Sequence, residues 1–372
     1  MTSARGRSRP KSSSSCCRDR DNAEARCADA PGQRADAPVG ATQAPTFTPS
    51  WWCRNGHVQT IWGPLFRRTR IAFRRERIDT ADGDFLDLDW IDGPPTSPVL
   101  LVLHGLEGSS RSHYAQGLLR LAGDRGWRGV ALNFRSCSGE LNRVARFYHS
   151  GETTDLDAVV TRLIAREPSV TLGAVGISLG GNVLLKWLGE CEADAPKQLA
   201  AAVAISAPFD VAACAEVLDR GVRRAIYTAN FLRTMRDKVR RKAAAFPDFV
   251  DIAAARRART FAEYDRAVTA PLNGFADERD YWTRASAGPY LARIRRPTLL
   301  INALDDPIVP TAALPDPATL PPGVRAEYVA HGGHAGFLHG RRPWAPQAWA
   351  EQRAIDFIRT AVDAAREAVA AG

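Results

Sequence analysis

The stretch VGISLGGNVLLKWLG, residues 175–189, restricts what this chain can fold into more than any other. Upstream, SVTLGAV is rich in β-branched and small apolar residues and predicts a short buried strand. Downstream, Val183, Leu184, Trp187 and Leu188 recur at helical spacing. Between them stands Ser178, with Gly176 two residues before it and Gly180 two after. Glycine holds regular structure weakly, so its placement here calls for a turn that needs it. A strand-to-helix turn this sharp drives its apex to positive φ and crowds the positions two on either side. Such an elbow lifts a hydroxyl above a sheet and aims the next backbone N–H and a helix N-terminus at the same point. A five-residue pattern also arises by chance in a plain strand–helix loop, so the serine has to be judged by its partners.

The surroundings alternate in the same way. SPVLLVLHG, GVALNF, LAAAVAISAP, PTLLINALDD and RAEYVAHGG predict strands. SHYAQGLLRLAGDRG, TTDLDAVVTRLIARE and roughly 346–369 predict helices. RIAFRRERIDT and FLDLDWID predict a strand pair around the turn ADGD. Strands separated by helices imply an α/β fold, a mostly parallel central sheet with helices on both faces. The segment 209–290 breaks this rhythm: it predicts several basic helices whose aromatics pack mainly among themselves, placed as a helical lid.

Residues 1–46 carry almost no large apolar side chain and are expected to be a disordered tail. Residues 47–372 are expected to form one domain with the lid at about 209–290. No run of 18 apolar residues and no signal-peptide core is present, which points to the cytoplasm. The seven cysteines show no C-x-x-C spacing and predict free thiols rather than a zinc site. Net charge is +9, with only five lysines among the fifty cations. Residues 220–259 alone carry twelve cations against three acids. No zinc-finger, RNP or P-loop pattern accompanies them, so no nucleic-acid partner is expected. Weak peripheral contact of the basic lid with anionic lipid is weighed against an arginine-rich surface with no partner. Oligomeric state is not legible.

A serine hydroxyl needs a base, and the base an orienting acid. After the strand PTLLINAL comes DDPIVP, at the carboxyl end where sites on parallel sheets form. Asp306, before Pro307, fits the loop best, with Asp305 as the fallback. After RAEYVA comes HGGHAGFL, a glycine-rich loop able to swing an imidazole over the serine. His334 is the preferred base over His331. An H-x-x-H metal pair is the rival reading, but it lacks the glutamate of H-E-x-x-H, so neither metal nor cofactor is expected. The oxyanion would take the N–H of Leu179, next to the nucleophile, and of Leu106 in HGLEGSS, with His104 structural.

Together NGHVQTIWGPLF, HGLEGSS, NFRSCSGELN, YHSGETTDL, GISLGGN, ALDDPIVP and GGHAGFL, in this order over about 48–340, resemble the YheT-type α/β-hydrolases, relatives of the mammalian abhydrolase-domain lipases. The resemblance implies a Ser178–Asp306–His334 triad and carboxylic-ester hydrolysis, and leaves the substrate open. Ser136 departs from the pattern, where the family more often has glycine. Three functions follow for comparison: a serine esterase of short or medium acyl chains, a phospholipase or acylglycerol lipase at anionic membranes, and a non-catalytic binding protein on the same fold. The partner expected in the first two is a small-molecule ester or lipid.

Overall fold

The computed structural model describes residues 47–371. The tail expected at 1–46 lies outside the described residues.

Eight strands form one sheet: β1 (Arg74–Asp79), β2 (Phe85–Ile91), β3 (Val99–Leu103), β4 (Arg128–Asn133), β5 (Leu172–Ile177), β6 (Leu199–Ile205), β7 (Thr298–Ala303) and β8 (Val324–Val329). Their spatial order is β1-β2-β4-β3-β5-β6-β7-β8. β2 runs antiparallel to both β1 and β4, and every other neighbouring pair is parallel. β3, β5 and β7 are buried along their whole length, which explains their continuous apolar runs.

Helices cover both faces. On one face lie α3 (Thr153–Arg166) and α4 (Leu179–Cys191), which bring Leu156, Val159, Leu163, Val183 and Leu184 into the core. On the other lie α2 (His113–Gly123) and the final helix (Trp349–Ala371), through Leu118, Leu119, Ile355 and Ile358. A further helix, α1 (Gly56–Phe66), precedes the sheet and is capped by the Asn55 side chain, which accepts from the His57 and Val58 N–H groups.

Between β6 and β7 the chain makes a helical insertion with its own apolar cluster, including Leu232, Met235, Val239, Phe261, Tyr264 and Trp282. Its longest helix spans Ala229–Lys242. Not all of its cations face outward. Lys238 Nζ donates to Glu107 at 2.7 Å, and Lys242 donates to the Val144 and Arg146 carbonyls. The basic count of this segment therefore overstates its surface charge.

Ser136, the departure from the family pattern, sits at φ 63° after β4. That backbone region favours glycine. The serine is held there by Asn142, whose side-chain carbonyl accepts from the Ser136 N–H while its own N–H donates to Ser136 Oγ at 3.1 Å. The side chain thus replaces with hydrogen bonds what glycine would supply by freedom.

Candidate active site

Ser178 occupies φ 54°, ψ −122° at the join of β5 and α4. The crowding that the glycines imply is present. A β-carbon at Gly180 would stand 2.5 Å from the Leu103 carbonyl oxygen, and one at Gly176 2.6 Å from the Gly181 Cα. Both distances are shorter than any van der Waals contact, so the elbow closes only without side chains at these two positions.

Three side chains from separate loops meet here. His334 Nε2 lies 2.8 Å from Ser178 Oγ, and His334 Nδ1 lies 2.9 Å from Asp306 Oδ2. The Asp306 side chain is fully buried. Its Oδ1 accepts the N–H groups of Ile308 at 2.7 Å and Val309 at 3.0 Å, a local turn that aims Oδ2 at the imidazole. Asp305 and His331 face elsewhere. Asp305 Oδ1 accepts the Gly333 N–H at 2.9 Å, and Oδ2 stands 3.4 Å from His331 Nδ1.

Leu179 opens α4 directly after the serine, and Leu106 follows Gly105 in the loop after β3. Both line the same cavity as Ser178. In that loop the Gly105 N–H donates to the Tyr114 hydroxyl, the Glu107 N–H to the Tyr148 hydroxyl and the Gly108 N–H to the Gly105 carbonyl. His104 braces it from below, with Nδ1 2.7 Å from the Gly105 carbonyl and Nε2 accepting the Phe134 N–H at 3.1 Å. Burial pushes this imidazole down to about 4, so it is neutral near pH 7.

The cavity over Ser178 measures about 100 Å³. Its walls are mostly apolar, and Phe231, Phe261, Tyr281 and Trp282 of the insertion contribute to them. These aromatics thus line the space above the serine as well as packing the insertion. Among the polar groups in the walls, alongside His149 and Ser150, is the carboxyl of Asp265. Asp265 accepts the Thr269 hydroxyl at 2.6 Å and the Trp282 Nε1–H at 2.8 Å, and burial pushes its carboxyl up to about 7.

Residues from the start of the chain complete the site, and the sequence reading did not single them out. Thr60 Oγ1 on α1 accepts the His334 N–H at 2.9 Å. Gln59, fully buried, donates to the Cys53 and Leu338 carbonyls and accepts the Leu338 N–H at 2.7 Å. Ser206 Oγ, at the end of β6, accepts the Ala335 N–H at 3.0 Å. The histidine loop is therefore hung from α1 and β6. His57 Nδ1 lies 2.7 Å from the Tyr227 hydroxyl, tying α1 to the insertion as well. The signal was present in the NGHVQTIWGPLF stretch, whose match to the family pattern extends to residues with no chemistry of their own.

Sheet, elbow and covering helices define an α/β-hydrolase, and the family model described as alpha/beta hydrolase fold matches residues 98–340. The chain is 41% identical to the YheT protein of Escherichia coli (strain K12), over 86% of this chain and 94% of that one. It is 32% identical to the mouse protein named Phospholipase ABHD3, over 80% of this chain and 74% of that one. Among solved structures, the Pyrococcus furiosus esterase Pf2001 shares the fold with a TM-score of 0.50 at 17% identity, covering 77% of this chain and 92% of that chain. The chain belongs to the YheT-type α/β-hydrolases.

Proposed function

We propose that the protein is a serine esterase that cleaves carboxylic esters of short or medium acyl chain through Ser178, His334 and Asp306. The observation that carries this reading is the continuous line of hydrogen bonds from Asp306 Oδ2 through His334 to Ser178 Oγ, at 2.9 and 2.8 Å. The carboxylate holds Nδ1–H, which leaves the Nε2 lone pair facing the hydroxyl. Ser178 Oγ attacks the ester carbonyl as Nε2 takes its proton. The proton then passes to the departing alkoxide, leaving an acyl-serine. Water repeats the sequence with the same base and releases the acid. The Leu106 and Leu179 N–H groups receive the oxyanion in both steps, each donor worth ~10²–10³ in rate.

The cavity of about 100 Å³ supports a small acyl group. It is well below the ~300–1,000 Å³ typical of sites for drug-sized ligands. In this reading residues 47–372 are one catalytic domain and the insertion at 209–290 is its lid. A fluorophosphonate probe tests the reading, followed by a panel of p-nitrophenyl esters of rising chain length. Labelling that disappears in Ser178→Ala, with turnover highest at short or medium chains, is expected. A wild-type protein that neither labels nor turns over any ester of the panel refutes it.

The second reading, a phospholipase or acylglycerol lipase at an anionic surface, is supported by the likeness to the mouse protein named as a phospholipase. Release of fatty acid from phosphatidylglycerol vesicles, compared with soluble esters, separates the two.

A further inference from the structure

The helix α1 is turned the opposite way from an ordinary surface helix. Its buried positions are Gly56, Gln59 and Gly63, one face made of small and polar residues. Three of its apolar residues point outward, Val58 at 40% exposed, Leu65 at 53% and Phe66 at 57%, while Ile61 packs on the apolar cluster of the insertion. A surface helix normally buries its apolar stripe. Here the inner face is given over to holding the histidine loop, and the glycines let the helix come close. A β-carbon at Gly63 would collide with the His113 ring.

The apolar surface continues beyond the helix. Trp344 is 80% exposed and shares one wide groove with Trp62, Phe66 and Arg68. Trp51, 69% exposed, donates its indole N–H to the Arg341 carbonyl at 3.2 Å, which places it beside the same loop. The charge around this surface is mostly of one sign: Glu351, which lines the same groove, is paired with Arg67. Residues 47–72 and 331–350 contain six arginines and no acid. Arg68, Arg70, Arg341 and Arg342 are exposed, and among the described residues none of the four has an acidic partner within ion-pair distance.

We propose that this face, α1 with the loop around Trp344, is the surface by which the protein docks on an anionic phospholipid bilayer. Exposed Trp, Phe and Leu beside unpaired arginines are what the interface of such a membrane takes up: indole rings at headgroup depth, aliphatic side chains below, guanidinium groups on the phosphates. The sign of the charge argues against other occupants. A second copy docking on the same face would set these four unpaired arginines against the same four. Residues 1–46 hold eight cations and five acids, so they too are net positive. The docking face thus lies on α1 rather than on the basic insertion. The inner side of α1 carries Thr60 against the His334 N–H, so the docking helix is also the one that holds the histidine loop, a link to catalysis that rests on the reading of Ser178 as an ester-cleaving nucleophile.

The test uses the full chain and vesicles of phosphatidylcholine with and without phosphatidylglycerol, at low and high salt. Wild type is expected to sediment with the anionic vesicles, more strongly at low salt. The combined variant Leu65→Ser, Phe66→Ser, Trp344→Ser is expected to lose binding by on the order of 100-fold. Its turnover of water-soluble p-nitrophenyl acetate should stay within about twofold of wild type, which shows that it folds. Arg68→Gln, Arg341→Gln, Arg342→Gln should remove the preference for phosphatidylglycerol. Ser178→Ala protein should bind as wild type does, so failure of the catalytic reading leaves the docking result standing. No binding at low salt overturns the proposal, as does binding that the apolar variant leaves unchanged. A wild-type dimer in sedimentation velocity that the same variant dissociates assigns the face to a second copy and overturns it too.

Discussion

His331 and Asp305 stand 3.4 Å apart, three positions and one position before the pair His334 and Asp306, which stand at 2.9 Å. Two adjacent acids and two nearby histidines are thus sorted into an outer and an inner couple. The inner couple is buried and reaches the serine. The outer couple is half in solvent and ties Gly333, beside His334, to the acid loop.

Ser178→Ala and His334→Ala should each abolish ester turnover, by up to ~10⁶, because nucleophile and base act as one unit. His331→Ala should cost only a few-fold. Steady-state kinetics on a p-nitrophenyl ester, with circular dichroism to show folding, checks the ranking. Equal losses for the two histidines would exclude this division of labour.

Asp306→Asn should lower turnover by ~10⁴ through misorientation of the imidazole. Asp305→Asn should cost far less, since an amide oxygen still accepts the Gly333 N–H. If Asp305 proves the more sensitive position, the acid of the relay has been misassigned.

Thr60 positions the histidine rather than touching substrate. Thr60→Val removes the acceptor for the His334 N–H and should lower kcat about 10-fold with KM little changed. Thr60→Ser restores the acceptor and should restore kcat. A valine variant with wild-type kcat, or a serine variant no better than valine, would reduce Thr60 to packing.

Acid should weaken the fold through His104. Its imidazole titrates at about 4 when folded against 6.5 ordinarily, so between those pH values the unfolded chain binds a proton that the native state refuses. Stability from this group is constant above pH 6.5 and falls as pH drops toward 4, by about 3 kcal/mol in total. His104→Gln removes the titration. Denaturant midpoints of the two proteins should converge with decreasing pH, and parallel curves across that window would contradict the assignment.

The elbow was legible because its physics is local: a buried strand, a helical period and glycines at the two crowded positions all lie within about twenty residues. Asp306 and His334 were legible from their place just beyond strand ends. Thr60 and Gln59 were not, since their partners lie some 270 residues away and hydrogen bonding to a loop backbone leaves no spacing to read. The orientation of α1 was hidden for a related reason. Val58, Leu65 and Phe66 carry the spacing of a buried stripe, and only the contacts of Gly56, Gln59 and Gly63 show which side faces the protein. The twelve cations of 220–259 overstate the exposed charge, because a count of charges does not reveal that Lys238 and Lys242 are spent on internal partners.

The suspension of the His334 loop from Thr60 joins an early helix to a late loop across 274 positions. On the ribosome the elbow leaves the exit tunnel more than a hundred residues before the imidazole that would activate its serine. On the proposed catalytic reading, a chain cut before the histidine loop would carry an inert hydroxyl at Ser178. On the same reading the serine gains its base only once the late loop has found the early helix, so arming waits on a contact between residues 274 positions apart.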